Sequence, residues 1–167
     1  MKTVDVPQAN NLSTVRRVVQ AVARGAEDAF GIAEYTGYSL RHTRYRLHAA
    51  RVLQLLSLSK EDVLAVTALG DRLLQTDAES SREREIFALS IESSPAMRDL
   101  APELLAPKAP SVEALAEHLY HRARLGRSTA LRRASGLLTW RRRVLNESMP
   151  VAAPPPPVRA GEQLTLF

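Results

Sequence analysis

IAEYTGYSLRHTRYRLHAARVLQLL, residues 32–56, holds a helix end, a tight turn and a helix start within a few residues, and its reading decides the fold. Gly37 can adopt the left-handed conformation that closes a helix, and Ser39 is a good N-cap for the next one. A short helix in EDAFGIAEYTG therefore ends where a longer one begins at Leu40. In the longer helix Leu40, Thr43, Leu47 and Ala50 recur on one side, which is the inward side.

Working upstream, Leu12, Val15, Val18, Val19 and Val22 stand at helical spacing, with Asn11 or Ser13 as the cap and Gly25 as the stop. Downstream, Leu55–Ser59 and Val63–Thr67 read as two short strands joined through Lys60, Glu61 and Asp62, and a helix follows from about Ala68. The next helical segment, SSREREIFALSIESSPAMRDLAPELL, is interrupted at Pro95, which cannot donate the helix hydrogen bond, and should form two helices. After it come a helix containing EALAEHL, a turn at Gly126, Ser128 as a cap, and an arginine-rich helix from Thr129 to about Leu145. That last pair repeats the earlier grammar of helix, turn and capped helix, with no room for a hairpin after it.

The chain has 167 residues, 45% hydrophobic and 25% charged, with seven glycines, one tryptophan and three phenylalanines, a globular composition that favours helices over a sheet sandwich. It has no cysteine, which excludes disulfides, thiolate zinc sites and cysteine nucleophiles. The formal net charge of +5 suits a polyanionic partner. The excess sits late: residues 1–104 carry 13 Lys/Arg against 14 Asp/Glu, whereas residues 105–149 carry 9 against 3. A second concentration lies inside the balanced half, where Arg41, Arg44, Arg46 and Arg51 stand between Tyr35 and Ser59 with no acidic residue among them.

The order helix, helix, turn, helix, two-stranded wing, helix, carried by residues 32–56 and by VTALGDRLL closing the hairpin, resembles the winged helix-turn-helix superfamily of DNA-binding domains over residues 11 to about 76. The resemblance implies a mainly α fold with a short two-stranded wing and a recognition helix from Leu40. That helix would lie in the major groove, presenting Arg41, Tyr45 and His48, flanked by Arg44 and Arg51 on one edge and His42 and Arg46 on the other. Lys60 at the wing tip would touch the DNA backbone, and Arg132 and Arg133 could extend the phosphate track from the C-terminal helical extension. Among Arg141, Arg142 and Arg143, at least one must cover apolar surface or pair with an acid, because three consecutive residues spread around most of a helix.

From Pro150 the composition changes. Pro154 to Pro157 favour an extended spacer. The chain then ends in Gln163-Leu164-Thr165-Leu166-Phe167, which resembles the short linear motif by which bacterial polymerases and repair factors dock on the replication sliding clamp. That resemblance implies that Leu166 and Phe167 enter an apolar pocket of the clamp, Leu164 packs at its rim and the Gln163 amide anchors the upstream end. The tether would make the clamp contact effectively intramolecular once DNA is held.

Four segments are therefore expected: a winged helix-turn-helix domain at 1–78, a C-terminal helical domain at 79–149, a linker at 150–162 and a clamp-binding peptide in a disordered tail at 163–167. The start MKTVDVPQANN lacks the apolar core of a signal peptide and no stretch approaches a membrane span, so a cytoplasmic, nucleoid-associated protein is expected. No phosphate-binding glycine loop, G-x-S-x-G or nuclease motif is present, and His118 and His121 lack a third ligand for a metal. The expected role is non-catalytic, without metal or cofactor: recruitment or regulation in DNA replication or repair, on double-stranded DNA and the sliding clamp. Rival readings are a homodimeric transcription regulator on a palindromic site and a DNA-reading adaptor beside a nuclease or ATPase.

Overall fold

The computed structural model describes residues 6–148. Asn11 opens α1 (Leu12–Ala23), its Oδ1 accepting the Ser13 N–H at 2.8 Å, and the buried side of α1 is its valine stripe with Leu12. Asp28 caps α2 (Ala29–Thr36) through the Gly31 N–H, and Gly37 ends it at φ 75°, where a side chain would be strained. Thr36 makes the turn compact: its hydroxyl donates to the Ile32 carbonyl at 2.7 Å and accepts from the Tyr38 N–H at 3.3 Å. Ser39 then caps α3 (Leu40–Val52), accepting the His42 N–H at 3.3 Å. These are the caps expected from residues 32–56.

After α3 come β1 (Leu56–Leu58) and β2 (Leu64–Val66), an antiparallel pair in the register Leu56 to Val66, Ser57 to Ala65 and Leu58 to Leu64. Each strand is shorter by one residue at either end than the sequence implied. At the hairpin end the Ser59 N–H still donates to the Val63 carbonyl at 2.9 Å, and its hydroxyl accepts the Glu61 and Val63 N–H groups, both at 3.1 Å. At the base the Thr67 N–H donates to the Leu55 carbonyl at 3.1 Å, while its hydroxyl caps α4 (Ala68–Leu74) and donates to the Gln54 carbonyl at 2.6 Å. Gly70 lets α4 press onto the hairpin, since a Cβ there would collide with the Leu55 carbonyl oxygen and Val66.

Pro95 divides the next segment as expected into α5 (Ser81–Ser93) and α6 (Pro95–Leu100). Ser94 at the corner accepts the Met97 N–H and donates to the Val52 carbonyl at 2.6 Å, fastening the corner to the end of α3. α7 (Val112–Ala123) and α8 (Arg127–Leu145) complete the fold, packed against each other. Ser128 is not the cap of α8: Gly126 occupies that position with no side-chain bond, and the helix starts at Arg127. The preceding turn passes through Arg124, whose left-handed φ of 52° closes α7 and feeds the chain directly into α8.

The described residues thus form a mainly helical fold of eight helices with one two-stranded antiparallel sheet. The residues on either side of position 78 share one buried apolar cluster, running from Val6 through α1, α3, α5 and α7 to Val144. Trp140 of α8, fully buried, donates its indole N–H to the Ala9 carbonyl at 2.8 Å, and Gly136 one turn earlier lies against Asn10. The N-terminal segment is thereby pinned to the last helix. Among the described residues no helix is long and apolar enough to cross a membrane.

Candidate nucleic-acid interface

The inward side of α3 is made by Thr43, Ala49 and Ala50, continued by Leu53 just past its end, all fully buried, with Leu47 packed at its margin. Ala49 had no place in the expected stripe, and its burial rotates the inward side slightly from the one read in the sequence. The exposed side carries Arg41, His42, Arg44 and Arg51, while Tyr45, Arg46 and His48 are half-buried. Tyr45 accepts a hydrogen bond from the Arg41 Nε at 2.9 Å. The Arg46 guanidinium lies 4.0 Å from the centre of the Tyr38 ring, and Arg17 of α1 approaches the same ring at 5.6 Å.

None of Arg41, Arg44, Arg46 and Arg51 has a carboxylate within ion-pair distance among the described residues. Their charge is therefore uncompensated locally, and the two tyrosines stiffen the arginines without neutralising them. A helix face of this kind attracts phosphate, and guanidinium groups on it can also bridge guanine O6 and N7.

The late basic cluster is arranged otherwise. Arg141 is almost wholly buried, its Nη1 donating to the Leu104 and Ala106 carbonyls at 2.8 and 2.6 Å and its Nη2 to Glu147 at 2.9 Å. Arg143 donates to Glu83 at 2.7 Å, and the same carboxylate, 1% exposed, receives Arg16 at 3.1 Å and the Glu79 N–H at 2.8 Å. Arg122 binds Asp99 at 2.7 Å and holds that carboxyl below its usual range, chiefly through this hydrogen bond. Arg127 covers the Tyr120 ring at 4.8 Å and lies 3.7 Å from Glu117. The expectation that the Arg141–Arg143 run could not all face solvent is met twice over. Arg132 is exposed, whereas Arg133 is only 9% exposed and is not part of an open track.

Three elements converge at the start of α3. The segment around Asn10, the start of α1 and the first turns of α3 border a polar cavity of about 230 Å³ lined by Gln8, Asn10, Asn11, Thr14, His42, Tyr45 and Arg46. Lys60 stands exposed at the hairpin tip, in a turn that also contains exposed Glu61 and Asp62. The tip therefore carries more negative than positive charge. His118 meets the Asp99 carbonyl at 2.9 Å and His121 meets Glu117 at 2.8 Å, and no group of three or more metal-ligating side chains exists among the described residues.

The sequence reading missed Tyr38 and Arg17, which belong to the α3 surface by contact. The signal for both was available: an aromatic residue inside the turn and an arginine following Arg16 on a helix with a fully apolar opposite side. The linker and Gln163, Leu164, Thr165, Leu166 and Phe167 lie outside the described residues. No protein-family model, curated protein or solved structure matches the chain.

Proposed function

We propose that this protein is a non-catalytic DNA-binding accessory factor of replication or repair, built on a winged helix-turn-helix and tethered by its C-terminal tail to the replication sliding clamp. In this reading α2 and α3 are the helix-turn-helix, β1 and β2 the wing, and α3 the helix that enters the major groove. The observation that carries it is the α3 surface, where Arg41, Arg44, Arg46 and Arg51 have no carboxylate partner among the described residues. A charged face left uncompensated on the helix after a glycine-closed turn is well suited to a polyanion. The element order α1, α2, α3, β1, β2, α4 supports the winged-helix assignment.

Support for the clamp comes from the sequence of the tail, whose five terminal residues all agree with the clamp-docking pattern and follow a proline spacer. Two large apolar side chains in a pocket yield about 3 to 6 kcal/mol before ordering losses, so the peptide alone should bind weakly and gain avidity from DNA held by the body. Deleting residues 163–167 should abolish co-elution with the clamp and leave duplex binding nearly unchanged. Equal loss of both activities would count against the tail as a docking peptide.

A further inference from the structure

α1 carries a second basic surface, and the sequence around it holds no acid. Between Asp5 and Glu27 there is no acidic residue, while Arg16, Arg17 and Arg24 all fall in that stretch. Arg16 is taken up inside the fold by Glu83 and by the Leu73 and Thr76 carbonyls. Arg17, and Arg24 at the C-cap, are exposed and have no ion-pair partner among the described residues.

The two differ in their surroundings. Arg24 is followed closely by exposed Glu27 and Asp28, which weaken the positive field there. Arg17 has an aromatic neighbour instead. Its guanidinium lies 5.6 Å from the centre of the Tyr38 ring, and Arg46 of α3 lies 4.0 Å from the centre of the same ring. The turn fixes that ring in place, since Gly37 is left-handed and the Tyr38 N–H donates to the Thr36 hydroxyl at 3.3 Å. One half-buried ring thus receives a cation from α1 and a cation from α3, with no carboxylate paired to either among the described residues. Two guanidinium groups that share a ring repel each other, and an anion beside them relieves the repulsion.

The seam between α1 and α3 has the same character. The polar cavity at the start of α3 is lined from the α1 side by Gln8, Asn10, Asn11 and Thr14, and no carboxylate borders it. Amide and hydroxyl groups donate to phosphate oxygens as readily as they accept. The other directions open to a phosphate track are poorer, because the hairpin tip sets Glu61 and Asp62 beside Lys60 and because Arg133 of α8 is buried.

We infer that the phosphate track of the bound duplex continues from α3 onto α1, with Arg17 as the backbone contact there and Tyr38 as the residue that positions it. The inference rests on the DNA-binding reading and adds to it a contact from a helix outside the α2 and α3 pair. The track stops short of Arg24, where Glu27 and Asp28 begin an acidic patch.

The test uses the full chain and a labelled duplex, with anisotropy titrations across a KCl series for wild type, R17A, R24A, Y38F, Y38L and R17A/Y38L, each at a temperature where its thermal melt shows it folded. R17A should bind about fivefold more weakly, with a log K against log salt slope shallower by about 0.9, while R24A keeps the wild-type slope. Y38F keeps the ring and should bind as wild type does, whereas Y38L should lose about threefold. In the Y38L background R17A should cost less than it does in wild type, a coupling that a merely structural tyrosine would not produce. Unchanged affinity and slope in R17A would overturn the contact, and additive losses in R17A/Y38L would overturn the positioning role of Tyr38. A slope in R24A as shallow as that of R17A would mark a diffuse charge effect and overturn the placed contact. If R41A/R44A loses binding while R17A keeps it, the inference fails and the DNA reading stands; if wild type binds no duplex, the DNA reading fails and the inference with it.

Discussion

α3 and α8 are both arginine-rich, and they use the same side chain for opposite ends. Arg141 and Arg143 of α8 reach inward to the Leu104 and Ala106 carbonyls and to Glu147 and Glu83, and so join segments far apart in the chain. The arginines of α3 touch tyrosines or nothing, and no acid answers them among the described residues. An arginine count thus says little about a partner. Where the carboxylates are placed separates an arginine that builds the fold from one free to meet an anion.

The contrast can be broken by removing groups on either side of it. Glu83→Ala takes away the acceptor shared by Arg16 and Arg143 and leaves two half-sheltered cations facing each other. It should lower stability by about 3 to 5 kcal/mol in a urea titration, the largest effect expected. Arg141→Met strands the Leu104 and Ala106 carbonyls and should cost about 3 kcal/mol, without altering duplex affinity in folded protein. A Ser39→Ala change removes the cap of α3, with a loss of about 1 kcal/mol and weaker DNA binding through fraying of the first turn that carries Arg41 and His42. The smallest effect concerns Asp99. With its carboxyl held below the ordinary range by Arg122, the pair supports the fold above the usual carboxylate range, and that support fades as pH falls through the lowered value. Carboxyl NMR titration should show Asp99 moving up in Arg122→Ala; an unmoved midpoint would deny the coupling.

Most of the backbone plan was legible because the chain marks its helix ends with local chemistry. Asn11, Gly37, Ser39 and Pro95 each act within a few residues, and each acts in the structure as its type requires. Ser128 misled because a serine beside a glycine is the better cap by type, whereas the tight turn through Arg124 brings the chain into helical geometry two residues earlier. The basic clusters were legible as composition but not as function. Arg143 and Glu83 are 60 residues apart, and Arg141 answers backbone carbonyls, which leave no trace in side-chain pattern. The burial of Arg133 was hidden for the same reason, since α8 lies against a segment near the other end of the chain.

The most direct measurement compares the salt dependence of duplex binding in wild type, R41A/R44A and R141M at temperatures where all three are folded. The expected result is a slope shallower by about 1.8 in R41A/R44A, with affinity falling accordingly, and an unchanged slope in R141M. Equal slopes for wild type and R41A/R44A would contradict the assignment of α3 as the surface that meets DNA.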